Sequence, residues 1–344
     1  MENIQKLRDV LKTLPPFAKD YFRAMEPRTS TRTRLSYAYD IRIFFRFLIE
    51  ENPLYRDYQI TDFTLQDLNR LEAFDIEEYQ EYLKLYEKEE ETGVVSITNG
   101  EKGLKRKMSA LRSFFAYFYR YELIEKNPTV LVEMPKLHEK AIIRLDVDET
   151  ARLLDFIEHG GDNLTGQKKV YYEKTKERDL AIVTLLLGTG IRVSECVGLD
   201  LNDVDFNNNG IKVTRKGGSE MIVYFGHEVE QALKNYINGS RSLVIPQEGE
   251  ENALFYSSQR RRIGVKAVEN LVKKYAREVT PLKKITPHKL RSTYGTTLYQ
   301  ETGDIYLVAD VLGHKDVNTT KKHYAAQDEN RRRAAANVVK LRDV

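Results

Sequence analysis

The sequence predicts a mainly α-helical protein of two domains, the second carrying a small antiparallel sheet. Three observations predict it. Apolar residues recur at three- and four-residue steps along several long runs. Residues 128–143, PTVLVEMPKLHEKAII, hold two prolines and no helical period, which marks a linker. Residues 199–225 change period and become β-prone around a Lys-Gly-Gly turn.

The elements follow in order. Thr29-Ser30-Thr31 offers an N-cap to a helix over 32–51, which Asn52-Pro53 stops. Tyr37, Ile41, Phe44, Phe45 and Leu48 form its apolar face. A second, acidic helix is expected over 75–91. A third, over 101–121, carries Leu104, Met108, Leu111, Phe115 and Phe118 on one face and ends at Asn127-Pro128. The first domain, 1–127, therefore reads as all helical. After the linker, the second domain, 144–344, opens with a helix at Asp146-Val147-Asp148-Glu149 and another over 178–187. Val213-Thr214 and Met221 to Phe225 are two short strands joined at Lys216-Gly217-Gly218. Helices follow over 265–279, 287–301, 304–312, 316–323 and about 328–340.

Composition narrows the function. The 344 residues suffice for two cores. Apolar runs such as 181–187 fall far short of the ~20 residues that a membrane-spanning helix needs. The polar start MENIQKLRDV shows no signal peptide, and a cytoplasmic protein without membrane contact is expected. The single cysteine, Cys196, rules out an internal disulfide framework and a multi-thiolate metal site. Net charge is only +3, so a polyanion must be met by local patches. Residues 1–139 carry 22 Lys and Arg against 24 Asp and Glu, and residues 140–344 carry 33 against 28.

No G-x-x-x-x-G-K-[ST] loop, H-E-x-x-H motif or Cys/His cluster is present. His288 and His314 lack carboxylates at ligand-like spacing, so neither a metal nor a cofactor is expected. Basic residues gather on two helices of the first domain. Arg28, Arg32, Arg34, Arg42 and Arg46 lie on or beside one; Lys102, Lys105, Arg106, Lys107, Arg112 and Arg120 line the other. A duplex backbone suits such helices, because Lys and Arg release its condensed counterions. A solvated charged face satisfies the same pattern. Arg32, Arg34, Arg42, Arg46, Lys105, Arg106 and Arg112 are the candidate DNA contacts.

The second domain carries the chemistry. Arg192 follows a glycine-rich apolar turn in LGTGIRVSE, with Glu195 three residues on to orient it. Lys216 sits at the hairpin tip. His288 and Arg291 form H-x-x-R after Pro287, a residue suited to a first helical turn, and share one helix face. His314 lies in Leu312-Gly313-His314 and Tyr324 in KKHYA. Taken singly, each fits an ordinary structural role. Together they suit phosphoryl transfer without a metal. Arginine forks hold the extra charge of a five-coordinate phosphorane. A tyrosine oxygen can attack phosphorus, a lysine can protonate the departing 5′ oxygen, and histidines donate hydrogen bonds or take the tyrosine proton.

These residues resemble the signature of the tyrosine recombinases, the phage integrase family, whose order of Arg, Lys, His-x-x-Arg, His/Trp and Tyr falls on Arg192, Lys216, His288, Arg291, His314 and Tyr324. TGIRVSE, RKGG, PHKLRST, VLGH and the late HY match as well. The resemblance spans both domains and implies a helical SAM-like core-binding domain before a mostly helical catalytic domain, closing as a C-shaped clamp on double-stranded DNA. It implies attack by Tyr324, a 3′-phosphotyrosyl link, Lys216 as general acid, and a homotetramer on paired recombination sites. Size and layout look most similar to the Xer group, and PHKLRSTYGT resembles its stand-alone type. That implies chromosome dimer resolution at a dif-like site with an FtsK-like septal DNA translocase. A mobile-element integrase, a type IB topoisomerase and a DNA-binding protein that keeps the fold without catalysis are the alternatives. The helix over 329–341 is expected to dock on a neighbouring protomer. The step from His314 to Tyr324 is ten residues where the family commonly has nine, with His323 at the ninth place. Tyr294, Tyr299 and Tyr306 fall inside expected helices and fit the nucleophile's place less well.

Overall fold

The computed structural model describes residues 2–90, 93–138, 142–162, 164–215, 217–314 and 316–320. The chain divides into two units, 1–140 and 141–344. In the first, α1 (Glu2–Lys12) and α2 (Ala18–Ala24) precede the long α3 (Thr31–Glu51). Short helices α4 (Leu65–Arg70) and α5 (Ala73–Tyr82) lead to a hairpin of β1 (Leu85–Glu90) and β2 (Gly93–Thr98), and α6 (Glu101–Arg120) closes the unit. Ser30 caps α3 by accepting from the Thr33 amide at 3.2 Å.

Aromatic rings fill this core. Phe114 of α6 meets Phe118 at 4.9 Å and Tyr21 of α2 at 5.2 Å between ring centroids, both edge to face. Phe44 of α3 meets Tyr79 of α5 at 5.0 Å in the same manner. This geometry sets each ring's positive edge against its neighbour's negative face. Arg112 extends the core downstream, donating to the carbonyls of Thr129 (3.1 Å) and Val132. Pro128, Thr129 and Val132 are buried, the last with the first unit's core, so the start of the expected linker belongs to this unit.

The expected helix over 75–91 is present only in its first half. α5 stops at Tyr82, and residues 85–90 pair antiparallel with 93–98, Tyr86 opposite Ile97. Glutamates form helices well, but such a preference is weak beside strand pairing: Val94, Val95, Ile97 and Thr98 favour a strand, and Gly93 opens it at φ +122°, a conformation suited to glycine. Tyr86 stacks on Tyr82 at 5.4 Å and fixes the register. The first unit is thus mostly helical, not all helical.

The second unit opens with α7 (Val147–His159), capped by Asp146 and Glu149. Next comes α8 (Gly166–Thr189), which starts twelve residues before the expected helix. Residues 181–186 of α8 are buried without interruption, so it is the unit's central helix. A short α9 (Val193–Gly198) precedes a sheet of β3 (Val204–Asp205), β4 (Gly210–Thr214) and β5 (Glu220–Tyr224) in that order, all antiparallel. β3 was not expected. α10 (His227–Tyr236), α11 (Val265–Val279), α12 (Pro287–Thr302), α13 (Ile305–Leu312) and α14 (Val317–Thr320) complete the described chain. Asp179 of α8 is buried but satisfied, accepting from Arg178 at 2.7 Å and from the Tyr275 hydroxyl at 3.0 Å. Cys196 is fully buried, and burial pushes its thiol up to about 12. No described helix is long and apolar enough to cross a membrane. The expected helix over 329–341 lies outside the described residues.

Phe114→Ala removes the ring on which Phe17, Tyr21, Phe45, Phe115 and Phe118 converge. It should cost the first unit about 3–5 kcal/mol in urea unfolding. A loss under about 1 kcal/mol would contradict this account of the core.

Candidate active site

The turn after α8 sets the position of Arg192. Gly190 ends that helix at φ +63°, in the left-handed region where a side chain is strained. A Cβ there would lie 2.4 Å from the Tyr294 ring, so the turn is pressed against α12 with no room to spare. The chain enters α9 at Arg192, whose backbone N–H donates to Glu195 at 2.8 Å and whose guanidinium Nη1 donates to the same carboxylate at 2.8 Å. Glu195 is buried, while the Arg192 side chain keeps 36% of its surface exposed. A buried carboxylate thus aims a partly open guanidinium, as the Arg-x-x-Glu spacing predicts.

Arg291 and His288 come from the first turns of α12. His288 is exposed and Arg291 is buried. Arg291 donates from Nη1 to the Gly190 carbonyl, two residues before Arg192, and from Nη2 to the Leu312 carbonyl, two residues before His314. α13 ends at Gly313, φ +60°, with the His314 amide turned back to the Ala309 carbonyl at 2.9 Å. His314 Nδ1 lies 2.7 Å from the Thr320 hydroxyl, half-buried. The segments bearing Arg192, Arg291 and His314 therefore meet at the ends of α8 and α13.

Arg215 joins them and was not among the expected residues. Its guanidinium is buried and donates to the carbonyls of Leu312 and, at 2.9 Å, Val311. Burial lowers its pKa, Arg192 adds to the fall, and Glu195 opposes it. Its sequence signal is its place just before Lys-Gly-Gly, but its partners are backbone atoms about a hundred residues away. Lys216 and Tyr324 lie outside the described residues. Of the other late tyrosines, Tyr294 packs on Gly190 with its phenol pKa raised by burial, and Tyr306 is exposed. Among the described residues no group of three or more His, Cys, Asp or Glu could hold a metal ion.

The candidate DNA contacts of the first unit divide. Arg32 is exposed and Lys105 half-buried. Arg42 lies over the Tyr39 ring at 5.1 Å. Arg34 pairs with Glu26 at 3.1 Å and Arg46 with Glu50 at 2.5 Å. Arg106 donates to Ser36 at 2.7 Å and to the buried Asp40, whose carboxyl is pushed up by burial against the pull of that guanidinium. Arg112 spends its donors on the carbonyls of its own unit.

The phage integrase family model matches residues 144–331. The tyrosine recombinase XerC of Caldanaerobacter subterraneus subsp. tengcongensis is 33% identical over 94% of this chain and 86% of its own. The tyrosine recombinase XerS of Lactococcus lactis subsp. cremoris is 30% identical over 97% of both. Among solved structures, the Tn1549 transposon integrase in complex with circular intermediate DNA aligns with a TM-score of 0.65 at 22% identity, covering 92% of this chain and 97% of that one. The XerH site-specific recombinase bound to difH substrate aligns at 0.60 and 18%, covering 90% and 79%. With more than half of its 344 residues matched by the family model and a relative one-third identical along nearly its whole length, this chain belongs to the phage integrase family and is a tyrosine recombinase.

Proposed function

We propose that this recombinase cuts and rejoins duplex DNA through Tyr324, at a phosphate held by Arg192, Arg291, His288 and His314, with Lys216 as general acid. One observation carries the reading: Arg291 bonds the Gly190 and Leu312 carbonyls at once, so it ties the Arg192 turn to the His314 elbow. The segments that carry Arg192, Arg291 and His314, distant in sequence, meet at these bonds, which supports setting their cationic and imidazole groups around one phosphate. That is what a dianionic phosphorane requires, since preorganised donors gain most where charge develops.

In the reaction the Tyr324 oxygen gives its proton to a histidine of the site and bonds phosphorus, the P–O5′ bond breaks, and the leaving oxygen takes a proton from Lys216. The hydroxyl of a partner strand then reverses the step. The phosphodiester energy is kept in the tyrosyl ester, so no nucleotide cofactor is consumed. Exchange of two duplexes in this way calls for four protomers on paired sites. Likeness to XerC and XerS along nearly the whole chain, and to a XerH recombinase bound to difH substrate, supports a chromosome-dimer resolvase acting at a dif-like site. A septal DNA translocase of the FtsK kind as its partner rests on the sequence resemblance alone. Binding-site selection on random duplexes, followed by mapping of the covalent junction on the genome, separates that role from a mobile-element integrase.

On a nicked suicide duplex the wild-type chain should form a covalent adduct, and Tyr324→Phe should bind without forming one. Adduct formation by the variant would remove Tyr324 from the nucleophile's role. Arg192→Ala should slow adduct formation about 100- to 1,000-fold with the fold intact. Arg291→Ala should do the same and also lower the melting temperature, because it takes the side-chain donor from the buried Gly190 carbonyl and leaves Leu312 to Arg215 alone. Normal cleavage by either variant would refute their placement around the phosphate.

For the first unit, Arg32→Ala and Lys105→Ala should each flatten the log–log salt dependence of duplex binding by about one. Arg112→Ala should leave that slope alone and lower the melting temperature instead. A slope change on Arg112→Ala with no loss of stability would reverse the assignment.

A further inference from the structure

We propose that Arg215 is a positioning residue for the general acid: its guanidinium fastens the turn that carries Lys216 to the end of α13 that presents His314. The inference rests on the reading of Lys216 as the acid.

The turn has little else to hold it. It is closed at its base by the Arg215 amide donating to the Ser219 carbonyl at 2.8 Å and the Gly218 amide donating to the Arg215 carbonyl at 2.9 Å. Gly217 and Gly218 stand at φ +105° and +86°, with nothing within 4 Å of where a Cβ would be. Gly217, Gly218 and Ser219 are all exposed. Arg215 is the buried residue of the turn among those described, and through it the turn is tied to the rest of its unit.

That tie ends on the site. The two guanidinium nitrogens reach the Leu312 and Val311 carbonyls, the unpaired acceptors at the negative end of α13. Leu312 also accepts from Arg291, so the hairpin, α12 and the His314 elbow share one oxygen atom. The guanidinium lies flat against Gly313: a Cβ on that residue would sit 2.0 Å from Nη1. Nε remains buried without an acceptor among the described residues. A buried cation with an unspent donor, set beside other arginines, is a poor choice for packing alone. It is a good choice for fixing a fork-shaped distance between two loops. A lysine on an untethered Gly-Gly turn would lose the fixed geometry that proton transfer needs.

The test uses the full chain and the nicked duplex that traps its adduct, made once with the ordinary 5′ oxygen at the scissile bond and once with sulfur in its place. In the oxygen substrate the Tyr324 Oη gives its proton to a site histidine and bonds phosphorus, P–O5′ breaks and the 5′ oxygen takes the Lys216 proton. In the sulfur substrate P–S breaks and the sulfur leaves as a thiolate, needing no acid. Arg215→Ala should slow cleavage of the oxygen substrate by about 10-fold or more and restore near wild-type rates with sulfur, the pattern expected of Lys216→Ala. Arg215→Lys, whose ammonium cannot fork between two carbonyls, should fall between. Equal loss on both substrates, or loss on neither, overturns the inference. If Lys216→Ala itself loses equally on both, the acid reading fails first and takes this inference with it. If circular dichroism shows that neither Arg215 variant folds, Arg215 is a stability residue and the inference is also overturned.

Discussion

The carbonyl oxygen of Leu312 is the point on which the second unit's chemistry turns. It receives Arg215 from the sheet and Arg291 from α12, and it lies at the end of a helix two residues before His314. Arginine is needed on both sides because only a planar, permanently charged fork can grip two acceptors at once while keeping its charge. The acceptors are available because the last carbonyls of a helix have no partner within it. A local property of helix ends is thus converted into long-range order.

Bringing several cations together has a cost that the fold offsets in three ways. Glu195 is buried against Arg192 and supplies a full negative charge. The C-terminus of α13 supplies a partial one. Gly190 and Gly313 let the backbone approach where any side chain would collide, with Tyr294 in one case and with Arg215 in the other. Removing water from such a site strengthens each of these interactions, because the local dielectric falls. In the proposed reaction the same effect would strengthen the attraction for a phosphate.

Local spacing made much of this legible. Arg-x-x-Glu after a glycine turn and His-x-x-Arg after Pro287 both act within one helical turn, and the sequence states such distances directly. The helices over 101–121 and 265–279 were legible for the same reason: their buried stripes repeat at helical steps. Arg215 was not legible, because its partners are carbonyls, and every residue has one. The strand over 85–90 was hidden behind glutamates whose helical preference yields to pairing with the strand over 93–98. Among the basic residues of α3 and α6, charge alone could not separate Arg32, which faces solvent, from Arg112, which serves its own core.

The burial of Cys196 has a practical side. The chain's one sulfhydryl is sealed inside the second core and held in its protonated, unreactive form at neutral pH. The native protein is therefore a silent background for maleimide dyes. A cysteine introduced at any surface position would carry the single label on the molecule, and its environment could be followed during DNA binding without first stripping out native thiols.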